Sequence, residues 1–165
     1  MNKQTVTLSS GVVLNIKQVP PMVLAKIYDT LPAEPQVPRI FIADLGREEE
    51  NPNDPSYLAS MNKYQMALAN RVSDTIIMLG TTLSSVPKSV AHPHDDYRDW
   101  SEPLNAVGIE IPDIEKELLV YCAWVKYVAA TSQDDINNLI ASVSKLSGVS
   151  EKDVAQAANQ FRDTP

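Results

Sequence analysis

His92-Pro93-His94-Asp95-Asp96 gathers both histidines of the chain and two carboxylates into five residues. Imidazoles and carboxylates ligate zinc and move protons near neutral pH, so metal or acid–base chemistry would sit here. A zinc centre needs three or four ligands converging from a rigid frame. All the candidates share one proline-interrupted loop, and no distant histidine can join them. The segment therefore reads as a solvated polar loop.

The other reactive residues lead to the same expectation. Cys122 is the only cysteine, so no intramolecular disulfide can form, and its apolar run Leu118–Val125 predicts a small buried side chain rather than a reactive thiol. Glu48-Glu49-Glu50 reads as charged surface within a solvated loop from Asp44 to Asp54. The chain has no phosphate-binding loop, paired-glycine fingerprint, nucleophile elbow or metalloprotease helix motif. Its scattered carboxylates single out no acid–base pair. The expectation is a protein that is not an enzyme, with no catalytic, cofactor-binding or metal-ligating residue.

The elements around these residues follow from periodicity and punctuation. Residues 5–19 predict a β-hairpin, with Thr5–Leu8 and Val13–Val19 alternating about the turn Ser9-Ser10-Gly11. Pro20-Pro21 ends it, and Pro21 begins a short helix through about Leu31. Arg39–Ala43 predicts a third strand. Asp54 as N-cap and Pro55 as first residue open a long helix to about Leu79, with Gly80 near its end. Its stripe is Tyr57, Met61, Tyr64, Leu68, Val72 and Leu79. Residues 84–112, broken by Pro87, Pro93, Pro103 and Pro112, read as irregular.

A further helix is expected over Asp113–Ala130. Ile114, Leu118, Tyr121, Val125 and Val128 face a core, Val120, Trp124 and Tyr127 lie on another side, and the apolar centre implies burial on two sides. Ser132, with Asp135 three residues on, caps a helix over 132–147 with stripe Ile136, Leu139, Ile140, Val143 and Leu146, ended by Gly148. Ser150 with Asp153, and Val149 with Val154, open a last helix over 150–162, with Val154, Ala157, Ala158 and Phe161 on its apolar face. The fold class is α+β, mostly α-helical: an N-terminal β-hairpin plus a third short strand, then about four helices. Three segments, 1–45, 46–131 and 132–165, are expected to form one compact unit.

Composition restricts the partners. The 165 residues carry 14 basic and 21 acidic side chains, a net charge of −7. That opposes nucleic-acid binding, which needs clustered Lys and Arg, and docking on an anionic membrane. Met1–Gln4 leads into alternating residues rather than a signal-peptide core, and no apolar stretch reaches membrane-spanning length.

Three stretches carry a resemblance. Val6-Thr7-Leu8, Gly11–Leu14 and Val19-Pro20-Pro21 form the first. Gly46-Arg47-Glu48-Glu49-Glu50-Asn51-Pro52-Asn53-Asp54-Pro55-Ser56-Tyr57-Leu58, before a long helix, is the second. Leu146-Ser147-Gly148-Val149-Ser150-Glu151-Lys152-Asp153-Val154-Ala155 is the third. Together they resemble tail assembly chaperones, and related tail proteins, of long-tailed bacteriophages, over nearly the whole chain. The resemblance implies a non-enzymatic factor in the bacterial host cytoplasm. It would coat the helical tape-measure protein before tail-tube protein polymerises round it. The expected binding residues are Tyr121, Trp124, Tyr127, Val128, Ile136, Leu139, Ile140, Val143 and Phe161, by helix-in-groove contact. Self-association into a homo-oligomer is left open. A structural virion protein, either a head–tail connector or a minor tail protein, is the alternative. A metal-dependent enzyme using His92–Asp96 stands third.

Overall fold

The computed structural model describes residues 4–148. Strands β1 (Gln4–Thr7) and β2 (Val13–Ile16) form the expected antiparallel hairpin, in register Thr7↔Val13. Val12 and Leu14 point into the core. The third strand of this sheet is not the expected one. β2 pairs with Thr81–Ser85, Leu14 facing Leu83, so Thr81–Ser85 completes the sheet at the end of the long helix. This segment, Thr-Thr-Leu-Ser-Ser, has no clean alternation of its own. It becomes a strand because the open edge of β2 supplies the backbone partners.

Arg39–Ile42 does form a strand, β3, but in a separate two-stranded sheet with β4 (Arg47–Glu50). The glutamate run, expected in a loop, is therefore extended. A short helical turn over Ala43–Leu45 and Gly46 reverses the chain and sets Glu48 opposite Phe41. Local pairing outweighs the poor strand propensity of glutamate. The strand from Thr81 to Ser85 is thus β5.

Helix α1 (Pro21–Ile27) starts on Pro21 and continues as a tighter turn over Tyr28–Thr30, close to the expected extent. Helix α2 (Pro55–Gly80) starts where expected, and the Asp54 carboxylate accepts the Tyr57 N–H at 2.9 Å. The predicted stripe is half-buried from Tyr57 to Val72, but Leu79 is exposed while Ile76, Ile77 and Gly80 are buried. In its last turns α2 lies between two clusters. Ile76 joins Val19, Leu24, Ile27 and Val143, whereas Ile77 joins Leu14, Trp124 and Leu139. The buried face therefore turns around the axis.

Residues 84–112 are not wholly irregular, because Tyr97–Ala106 forms helix α3 despite Pro103. Gly108, at φ +88°, takes the left-handed conformation that closes it. The Gly108 N–H bonds the Asn105 carbonyl and the Ile109 N–H bonds the Leu104 carbonyl, each at 3.0 Å. This paired closure is a strong stop for a helix.

Helix α4 (Glu117–Trp124) starts four residues later than expected and runs into a π-turn over Val125–Ala129. Val120 and the four residues Cys122–Val125 are all buried, so the apolar centre is enclosed on more than one side. Ile114 and Leu118, expected to face the core, are exposed. Helix α5 (Gln133–Ser147) is capped by Ser132, whose Oγ accepts the Asp135 N–H, and ends on Gly148. The helix expected over 150–162, with its capping pair and staple, lies outside the described residues. The main cluster draws Leu8, Ile77, Trp124 and Leu139 together from all three sequence segments. The fold is α+β and mostly helical.

Candidate protein-binding surface

The histidine loop folds on itself. The Asp96 carboxylate accepts the His92 N–H at 2.7 Å, and His92 Nδ1 accepts the N–H groups of His94 (3.4 Å) and Asp95 (3.3 Å). These bonds shape the turn that leads into α3, whose Trp100 donates its indole N–H to the Pro93 carbonyl at 3.2 Å. Among the described residues, no three His, Cys, Asp or Glu side chains converge as a metal site would require.

Cys122 is buried beside Asp74 of α2, its Sγ 3.6 Å from the carboxylate. Burial above all, and then the Asp74 charge, push its thiol up to about 12, so thiolate is scarce at neutral pH. Lys126 closes the group with a 2.8 Å ion pair to Asp74. Burial is the strongest single influence and works against its charge, but the hydrogen bond to Asp74, the Asp74 charge and the neighbouring Tyr127 and Cys122 together prevail and raise its pKa.

Four of the expected binding residues are core instead. Trp124, Leu139, Val143 and Ile136 are buried, and the Trp124 indole donates to the Ala91 carbonyl at 2.7 Å. Their stripes face inward because α4 and α5 close on α2 and the sheet, so they offer no surface to a partner. Tyr121, Val128 and Ile140 are half-buried, Tyr127 is exposed, and Phe161 lies outside the described residues.

Apolar surface is left along the 113–130 stretch, including two positions, Ile114 and Leu118, where the sequence pattern pointed inward. Ile114 is 43% exposed, Leu118 50%, Leu119 45% and Tyr127 47%. Leu118 and Tyr121 line an open pocket of about 400 Å³, with Met78, Leu83 and Pro93 as further apolar walls and Lys17, His94 and Glu117 as charged or polar ones. Thr81, at its floor, gives its hydroxyl proton to the Ile77 carbonyl at 2.6 Å. The 2.8 Å contact between Thr81 and Tyr121 must therefore carry the Tyr121 proton. Burial, chiefly, raises the Tyr121 pKa, so the phenol serves as a neutral donor that fixes the ring. The pocket thus joins apolar walls to a rim of charged and polar groups. Asp113 is a good N-cap residue and Lys116 a poor one, so no sequence signal marked the late start that leaves Ile114 outside.

Comparison with known proteins gives no family model, curated protein or solved structure that matches this chain. Among the described residues no helix is long and apolar enough to cross a membrane.

Proposed function

We infer that this protein is a non-enzymatic binding protein that shields an apolar segment of another protein, in the manner of a phage tail assembly chaperone. The observation that carries the reading is the row of exposed apolar residues Ile114, Leu118 and Leu119 beside the open pocket at Tyr121. Exposed apolar groups gathered around a pocket are where partner side chains insert. The resemblance in the Gly46–Leu58 and Leu146–Ala155 stretches makes the tape-measure protein the partner, with tail-tube protein a second contact, in the bacterial host cytoplasm. A tape-measure helix presents long apolar stripes before assembly, and masking them prevents aggregation. The net charge of −7 helps such a complex stay soluble.

Co-expression tests this. A tape-measure segment that is insoluble alone should become soluble with the intact chain. Leu118→Glu with Leu119→Glu should abolish the effect while leaving the melting temperature of the binding protein unchanged. A segment that stays insoluble with the intact chain, or stays soluble with the variant, would count against the reading.

A further inference from the structure

The sheet runs β1-β2-β5, so β5 pairs with β2 on one side and with no strand on the other among the described residues. Opposed residues of an antiparallel pair alternate between those that exchange both backbone bonds and those that exchange none. The Lys17 N–H donates to the Gly80 carbonyl at 2.9 Å, and this bond sets the alternation. Asn15 and Thr82 then exchange bonds, whereas Ile16 with Thr81 and Leu14 with Leu83 do not. The Leu83 N–H and carbonyl therefore point away from β2. Among the described residues neither has a hydrogen-bond partner.

The open pocket of about 400 Å³ lies on that edge. Successive strand residues face opposite sides of a sheet. Thr81, Thr82 and Leu83 nonetheless all line the pocket, so it runs along the rim of β5 rather than over one face. Leu118 and Tyr121 of α4 form its far wall. The pocket is thus a groove between a strand edge and a helix.

The two walls ask for one kind of occupant. The strand edge needs backbone N–H and C=O groups, and the helix wall needs an apolar side chain. A helix meets only the second need, because its own backbone groups are already bonded within it. An extended segment meets both. A groove of about 400 Å³ with α4 on its far side takes one such segment, not the edge of another sheet.

We propose that the groove binds an extended segment of the partner protein, which adds to β5 as a fourth strand and places an apolar side chain against Leu118 and Tyr121. The inference rests on the reading that this site binds an apolar segment of another protein, and adds that the part entering the groove is a strand. Lys17 and Glu117 line the same groove and belong to no ion pair among the described residues, so the flanks of the segment are polar.

Amide exchange of the full chain, followed by NMR, is the test. The probes are two capped heptapeptides, Glu-Thr-Leu-Val-Leu-Thr-Lys and its reverse, one for each direction in which a strand can add. At least one should bind. At saturation the Leu83 N–H should exchange at least roughly tenfold more slowly, while the Thr82 N–H, already bonded to β2, should not change. Only every second residue of an added strand turns its N–H to its neighbour. N-methylation of one alternate set of peptide residues should therefore weaken binding at least roughly tenfold, and of the other set by less than about twofold. Failure of both peptides to bind overturns the proposal, as does equal weakening by the two methylation patterns. So does a free chain that sediments as a dimer with its Leu83 N–H already protected. A co-expressed tape-measure segment that becomes soluble yet leaves Leu83 exchange unchanged would support the chaperone reading and overturn this one.

Discussion

Asp135→Asn should be among the most costly single-atom changes in this protein. The buried carboxylate accepts four hydrogen bonds. Oδ1 takes the Ser9 N–H at 3.0 Å and the Ser9 hydroxyl at 2.8 Å, and Oδ2 takes the Thr131 N–H at 3.0 Å and the Thr131 hydroxyl at 3.3 Å. One side chain thus ties the turn of the β1–β2 hairpin to the start of α5. An amide keeps the shape but presents N–H groups to one pair of these donors. The backbone N–H on that side is left without an acceptor, and the surviving bonds lose their charge. With charged hydrogen bonds worth about 1.5–3 kcal/mol and an orphaned buried donor costing about 1–3, the loss should be roughly 2–4 kcal/mol.

The pH dependence separates this cause from lost packing. Burial is the strongest single influence on Asp135 and opposes its charge, but the bonds from Ser9 and Thr131 together prevail and lower its pKa. A carboxyl whose folded pKa lies below its unfolded value of about 3.9 stabilises fully above that value, and the contribution is lost as pH falls through the folded pKa. Urea unfolding of natural and Asp135→Asn chains should show a constant gap above about pH 5 that narrows steadily toward pH 2–3. A gap under about 0.5 kcal/mol at neutral pH, or one of equal size at pH 3, would refute the reasoning, because four charge-assisted bonds could yield neither.

Gly80 sits where α5 crosses α2, and an added Cβ would lie 2.6 Å from Val143 Cγ1 and 3.0 Å from Val19 Cγ2. Both valines are buried, so Gly80→Ala should destabilise by about 1–3 kcal/mol in urea unfolding, and adding Val143→Ala should recover part of the loss. Trp124→Phe removes the indole donor to Ala91 and leaves a void at the centre of the main cluster, so thermal unfolding should show a loss of about 1–3 kcal/mol. Cys122 should resist alkylation in the native chain at pH 8 and react only as fast as the protein unfolds, because burial and Asp74 keep its thiol protonated. Rapid labelling of the folded protein would show that the helix pair opens locally.

The sequence alone determined what short-range chemistry decides. Asp54 before Pro55, Ser132 before Asp135 and Gly148 after Ser147 mark helix ends, because capping involves residues within one turn of each other. The β1–β2 hairpin was legible for the same reason, its turn and alternation lying within fifteen residues. Gly108 could also have exposed α3, had the prolines around it not suggested irregular chain. Tertiary structure decided the rest. Thr81–Ser85 is a strand only because β2 stands beside it, and nothing within five residues signals that partner. An apolar stripe says that a face is to be covered, not by what. Trp124, Ile136, Leu139 and Val143, which the pattern leaves open as core or as partner surface, lie in the core, while Ile114 and Leu118 were expected in the core and lie outside. Burial depends on which elements meet across the fold, and hydrophobic energy has no direction of its own with which to write that choice into a local pattern.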